Sequence, residues 1–148
     1  MRIHTYFIGF ILVFSACVHD QNRESDLASL VASERAFSHM SENEGISKAF
    51  LTYFSVEAIT FRPNPVEARR RYEENPDIPG LLTWHPVFAE VSSAGDLGYT
   101  TGPYEFRNQS PAKEPSSVGH YVSLWKKQTD GVWRVVLDVG NVYDEPWI

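Results

Sequence analysis

The chain has 148 residues, with 19 acidic and 13 basic side chains, a formal charge of −6 and a single cysteine. An acidic surface repels phosphate backbones, which argues against nucleic-acid binding. One cysteine rules out an internal disulfide, and no His/Cys cluster stands at metal-ligand spacing.

The first residues read as an export signal. Arg2 and His4 make a short basic start, Tyr6 to Val13 is uncharged and apolar, and Phe14-Ser15-Ala16-Cys17 follows. A positive start, a short apolar stretch and small residues at the end are the pattern of a secretory signal. The apolar run is shorter than the roughly 20 residues a spanning helix needs. Ser15-Ala16-Cys17 resembles the lipobox of bacterial lipoproteins, with Phe14 where leucine is usual. That resemblance implies cleavage before Cys17 and acylation of its thiol. The expected organisation is a signal peptide over 1–16, a lipidated tether over 17–25, polar and aperiodic, and one domain over 26–148. Cleavage removes Arg2 and no acid, taking the formal charge from −6 to −7. The expected location is the cell envelope, on the periplasmic or extracellular face. Val18, where an aspartate would signal retention, favours the outer membrane if the cell has one.

Helical spacing comes next. Leu27, Leu30, Val31, Phe37 and Met40 share one face, with Glu34, Arg35 and Ser38 largely off it. Ser25 suits the N-cap, and Asp26 suits the positive end of the helix dipole. Asn43 and Gly45 interrupt this helix, and Ala49, Phe50, Tyr53 and Phe54 form the apolar side of a second. Ala58 to Phe61 is a short β-branched and aromatic strand. Asn64-Pro65-Val66-Glu67 predicts a third helix, with Asn64 as cap and Pro65 in the first turn, ending before Asn75-Pro76.

The rest is extended. Leu81–Ser92, Leu97–Arg107, Gly119–Gln128 and Val132–Tyr143 are runs rich in Val, Tyr, Trp, Phe and Thr. Ser93-Ala94-Gly95-Asp96 joins the first pair, and Thr129-Asp130-Gly131 is a tight-hairpin signal joining the last. Asn108 to Ser117, polar with Pro111 and Pro115, reads as a mobile loop. Pro86 marks the first run as an edge or bulged strand. Helices followed by a meander predict an α+β fold.

Three stretches carry a family likeness: Trp84-His85-Pro86-Val87-Phe88-Ala89-Glu90-Val91-Ser92, then Gly95 to Phe106, then Gly119 to Gln128 continuing through Asp130 to Gly140. Together with Glu34-Arg35-Ala36-Phe37 and Phe61-Arg62-Pro63, they resemble the domain-of-unknown-function 4440 family within the nuclear-transport-factor-2-like superfamily. The resemblance implies a curved antiparallel sheet packed on N-terminal helices. The sheet forms a cone with a pocket inside, often dimerised through its outer face. It implies no particular activity, because this fold hosts enzymes, binding modules and scaffolds alike.

Asp138 is the leading candidate for chemistry. It lies in the apolar run Val135-Val136-Leu137-Asp138-Val139, where burial would raise its pKa. In the enzymes of the superfamily, acids or histidines projecting into the cone act as bases, which makes His39 a second candidate. His85 and His120 read as surface or structural histidines. Tyr53, Trp84, Tyr104, Tyr121 and Trp125 are candidate ligand-binding aromatics, and Tyr121, Ser123 and Trp125 share one strand face. Arg69-Arg70-Arg71 with Glu73-Glu74 reads as a solvated face with local ion pairs. There is no Gly-rich phosphate loop, no Ser-His-Asp signature and no metal cluster, so no cofactor is expected. Lacking a complete catalytic constellation, the chain reads first as a lipid-anchored module binding a small apolar or amphipathic ligand. An isomerase, dehydratase or cyclase using Asp138 with Tyr53 or Tyr104 is the second reading. An envelope interaction or homodimer module is the third.

Overall fold

The computed structural model describes the backbone of residues 9–108 and 114–143, and side chains from residue 22 onward. The Cys17 side chain, the first half of the expected signal and residues 109–113 of the expected loop lie outside the described residues. Among the described residues three helices, α1 (Gly9–Glu44), α2 (Ile46–Tyr53) and α3 (Ala68–Glu74), pack on one sheet. Its strands are β1 (Phe54–Phe61), β2 (Pro65–Glu67), β3 (Leu81–Trp84), β4 (Phe88–Val91), β5 (Leu97–Arg107), β6 (Ser117–Lys127) and β7 (Trp133–Val142). The strand order is β2-β1-β7-β6-β5-β3, with β4 also on β5. The expected antiparallel sheet is mixed, because β1 runs parallel to β7.

α1 runs through Ser25 without a break, so that residue is not its N-cap, and the segment expected as a tether is helical. No helix among the described residues is long and apolar enough to cross a membrane. The buried stripe of α1 is Leu30, Glu34, Phe37, Ser38 and Ser41, one face at helical spacing. Glu34 and Ser38 therefore lie on the packed face, not off it. The two serines have a specific task. Ser38 Oγ donates to the Trp84 carbonyl at 2.7 Å and accepts from the Trp84 N–H at 3.1 Å, while Ser41 Oγ donates to the Leu82 carbonyl at 2.9 Å. They satisfy the free edge of β3, which a sheet otherwise leaves open. Gly98 allows the close approach of α1, since a Cβ there would lie 2.6 Å from Leu30 Cδ2.

Gly45 ends α1 with φ at 97°, a left-handed conformation that favours glycine. α2 then places Phe50 against Phe37 at 4.8 Å between ring centroids, with Trp84 against Phe37 at 4.7 Å and against Phe50 at 6.0 Å. Phe54, expected on the face of the second helix, is the first residue of β1. The helix expected from Asn64 begins at Ala68 instead. Pro65–Glu67 pairs antiparallel with β1, joining Phe61 to Pro65 and Ile59 to Glu67. Proline tolerates the first position of an edge strand as readily as the first turn of a helix, and the free edge of β1 decides between them.

Pro86 splits the first extended run into β3 and β4, both of which pair, among the described residues, only with β5. The chain bows over Gly102, where a Cβ would lie 2.0 Å from the His85 carbonyl oxygen. In β7, Val135 is opposite Trp125 and Leu137 is opposite Leu124, so Val136 is an extra residue with no partner on β6. This bulge resets the alternation. Trp133 and Val135 face inward before it, and Asp138 and Gly140 face inward after it.

Candidate functional site

The concave face of the sheet, α2 and α3 enclose a cavity of about 370 Å³. Its deep wall is aromatic and aliphatic, with Phe37, Phe50, Phe54, Leu82, Trp84 and Phe106. Tyr104, Tyr121, Ser123, Asp138 and Gly140 come from β5, β6 and β7, and Arg62, Arg71 and Tyr72 from the opposite side. The volume is in the lower part of the range of small-molecule sites, about 300–1,000 Å³, and an apolar wall with few polar groups is their usual make-up.

Asp138 faces this cavity. Ser123 stands directly across the β6–β7 pair and donates from Oγ to Asp138 Oδ2 at 2.7 Å. Burial raises the Asp138 carboxyl to about 6, while the Ser123 hydrogen bond and the Arg62 guanidinium pull it down. The acid is thus poised to exchange a proton near neutral pH. Tyr121, two residues before Ser123, presents its ring to the cavity. Among the described residues its buried hydroxyl has no hydrogen-bond partner, and burial pushes its phenol far above the ordinary range.

A second carboxylate lies behind the wall. Glu34 has 0% of its surface exposed. It accepts from the Trp84 indole and the Thr100 hydroxyl, and from Trp125 Nε1 at 2.9 Å. Burial raises it to about 7 against these three donors, and Asp138 adds a smaller push in the same direction. Glu34 does not line the cavity; it ties α1 to β3, β5 and β6 behind it.

The residues expected from sequence divide accordingly. Asp138, Trp84, Tyr104 and Tyr121 meet at the cavity. Trp125 is fully buried behind it on Glu34. Tyr53 stacks on Phe37 at 5.0 Å, outside the lining. His39 is exposed on α1 and His85 is exposed at the β3–β4 break, neither of them in the lining. His120 packs against Tyr143 at 5.4 Å. Of the three consecutive arginines, Arg69 and Arg70 pair with Glu73 and Glu74, as a solvated helix face predicts, but Arg71 lines the cavity. Glu34, Arg62, Arg71 and Ser123 were not among the expected site residues. The spacing held a signal for Glu34, which stands four residues after Leu30 and three before Phe37. Among the described residues no three His, Cys, Asp or Glu side chains come together as a metal site requires.

N-terminal helices on a curved mixed sheet around a cavity define the nuclear-transport-factor-2-like fold, and this chain has it. Among solved structures it is similar to a nuclear-transport-factor-2-like protein with a cystatin-like fold from Novosphingobium aromaticivorans, with a TM-score of 0.62, 10% identity, and coverage of 95% of this chain and 94% of that one. A ketosteroid isomerase-like protein from Erwinia carotovora atroseptica gives a TM-score of 0.62 at 14% identity, covering 81% of this chain and 98% of that one. A nuclear-transport-factor-2-like protein of unknown function from Shewanella oneidensis gives 0.59 at 13% identity, covering 76% and 96%. At such identities the likeness establishes the fold alone. No family model and no curated protein matches the chain.

Proposed function

We propose that the chain is a small-molecule binding protein whose cone holds an apolar or amphipathic ligand. The observation that carries this reading is the aromatic cavity of about 370 Å³ with Tyr121, Ser123 and Asp138 converging on one side of it. The test is a ligand screen by thermal shift and native mass spectrometry, run beside a variant with Thr60→Trp filling the cavity. Hits that stabilise the parent and not the filled variant support the reading, and an empty screen counts against it.

One observation favours a catalytic second reading. Asp138 points into the cavity with a raised pKa, as a base for proton abstraction beside a carbonyl requires. One solved neighbour is described as ketosteroid isomerase-like. Tyr104 lines the cavity and can serve as the carbonyl partner; Tyr53 is outside the lining. Deuterium uptake from D₂O into a panel of enolisable cyclic ketones, followed by NMR, tests this. Uptake that persists in Asp138→Asn would remove Asp138 from the role.

The finer resemblance to the domain-of-unknown-function 4440 family, the lipid anchor and the envelope location belong to the same proposal and rest on the sequence stretches given above. Cys17→Ala should abolish palmitate labelling and release the protein from membranes, and unchanged labelling rejects the anchor. A homodimer through the outer sheet face is supported by Phe88 and Val122, both exposed and both in register with Thr101 of β5. Sedimentation velocity across a concentration series tests it, and a monomer throughout counts against it.

A further inference from the structure

We propose that the cavity selects a small monoanion, a carboxylate or sulfonate on an apolar ring body, with its acid group held at the mouth by Arg62 and Arg71. This rests on the ligand-binding reading and adds the chemical class of the occupant.

The three consecutive arginines of α3 have different surroundings. Arg69 and Arg70 are each matched by a glutamate one turn on. Among the described residues neither Arg71 nor Arg62, which stands just past the end of β1, forms a salt bridge, although the Arg62 charge reaches the Asp138 carboxylate. Both line the cavity. Both bear on the Tyr72 phenol, where their charges oppose the effect of burial, so the two cations share one wall. Their exposure places them at the mouth, whereas Phe37, Phe50, Phe54 and Ser123 are buried.

Two guanidinium groups outside any salt bridge, against the single Asp138 carboxylate in the same lining, are a local reversal of field in a chain of net charge −6. They repel one another, and an entering anion relieves that repulsion. The planar guanidinium also matches a carboxylate with two parallel hydrogen bonds. The reverse orientation is disfavoured, because an acid group driven inward meets the Asp138 carboxylate. The same contact disfavours a dianion with acids at both ends. Between the two poles the wall is aromatic, suited to a ring body. Asp138 accepts hydrogen bonds, as it does from Ser123, which suits a hydroxyl on the part of the ligand nearest to it.

The experiment titrates the purified full-length chain with a hydroxynaphthoate and with the matching neutral hydroxynaphthamide, by calorimetry and by NMR. The carboxylate should bind about tenfold or more tightly than the amide, the margin of a charge-assisted contact. The double variant Arg62→Gln/Arg71→Gln should lose that margin and keep its amide affinity within about twofold. Arg71→Glu, on an exposed side chain, is a second variant that should abolish carboxylate binding. Equal affinity for the two probes, or a carboxylate affinity unchanged in these variants, overturns the anion inference while leaving the ligand-binding reading standing. Binding of neither probe, with cavity resonances unmoved, overturns both.

Discussion

The Ser123 hydroxyl donates to the Asp138 carboxylate at 2.7 Å from the directly opposed position on β6, so two adjacent strands hold the cavity acid in one orientation. The hydrogen bond favours the ionised form while burial favours the neutral one, and burial wins. Carboxyl-detected NMR should find Asp138 titrating near 6, and Ser123→Ala should move it higher still. A titration in the ordinary aspartate range would mean that the carboxylate is solvated.

Both acids described above have folded-state pKa values above their unfolded ones, from 4.5 to about 7 for Glu34 and from 3.8 to about 6 for Asp138. Each group's contribution is therefore greatest below the unfolded value and declines as pH rises towards the folded one. For fully buried Glu34 the loss is on the order of 3 kcal/mol from below pH 4.5 to above pH 7, of which about 2 kcal/mol falls between pH 5.5 and pH 8. The chain should melt higher at pH 5.5 than at pH 8. Glu34→Gln, which keeps the shape and an accepting oxygen, should flatten that dependence. Glu34→Ala should cost about 3–5 kcal/mol in denaturant unfolding, because it strands the Trp84 indole and the Thr100 hydroxyl, leaves the Trp125 indole only its bond to Thr100, and opens a void.

Gly102→Ala should be among the most damaging small substitutions. The added methyl would meet the His85 carbonyl, part of the backbone that Pro86 pushes over β5. A loss of about 1–3 kcal/mol is expected, with disturbance centred on the β3–β4 break. Amide exchange of Val87, which donates to the Thr101 carbonyl at 2.9 Å, reads it directly.

Arg69 and Arg70 make a matched comparison. Each pairs with a glutamate four residues on, but Arg69 also donates to the Leu51 and Phe54 carbonyls at 2.6 and 3.0 Å, where α2 passes into β1. Arg69→Met should destabilise by about 1–3 kcal/mol through those stranded acceptors. Arg70→Met should leave the unfolding midpoint where it was, because its ion pair is solvated. Equal losses would show that the salt bridges matter and the carbonyl bonds do not.

The meander was legible in the sequence because alternation and turn chemistry are local. The strands from Leu97 and Trp133 lie close to where their patterns predict, and Pro86 announced its break. Asn64-Pro65 predicts a helix start because the local signals for a first turn and for an edge strand coincide there; only the neighbouring β1 separates them. Asp138 was recognisable as an acid in an apolar run. Its inward direction was not, because strict alternation from Trp133 and Val135 turns it outward and nothing in Val135-Val136-Leu137 marks the bulge. Arg71 was indistinguishable from Arg69 and Arg70 within a charged run, since only the packing of α3 shows which one reaches the cavity.

The Glu34 cluster also bears on the order in which the chain assembles. Its three donors lie 50, 66 and 91 residues away along the sequence, on three different strands. Drying the carboxylate before those donors arrive is costly, so the cluster should close only as the sheet docks on α1, late on the folding path. Substitutions at Glu34 should then act mainly by speeding unfolding, with refolding nearly unchanged. One buried acid thus becomes a latch on how long the finished cone stays shut.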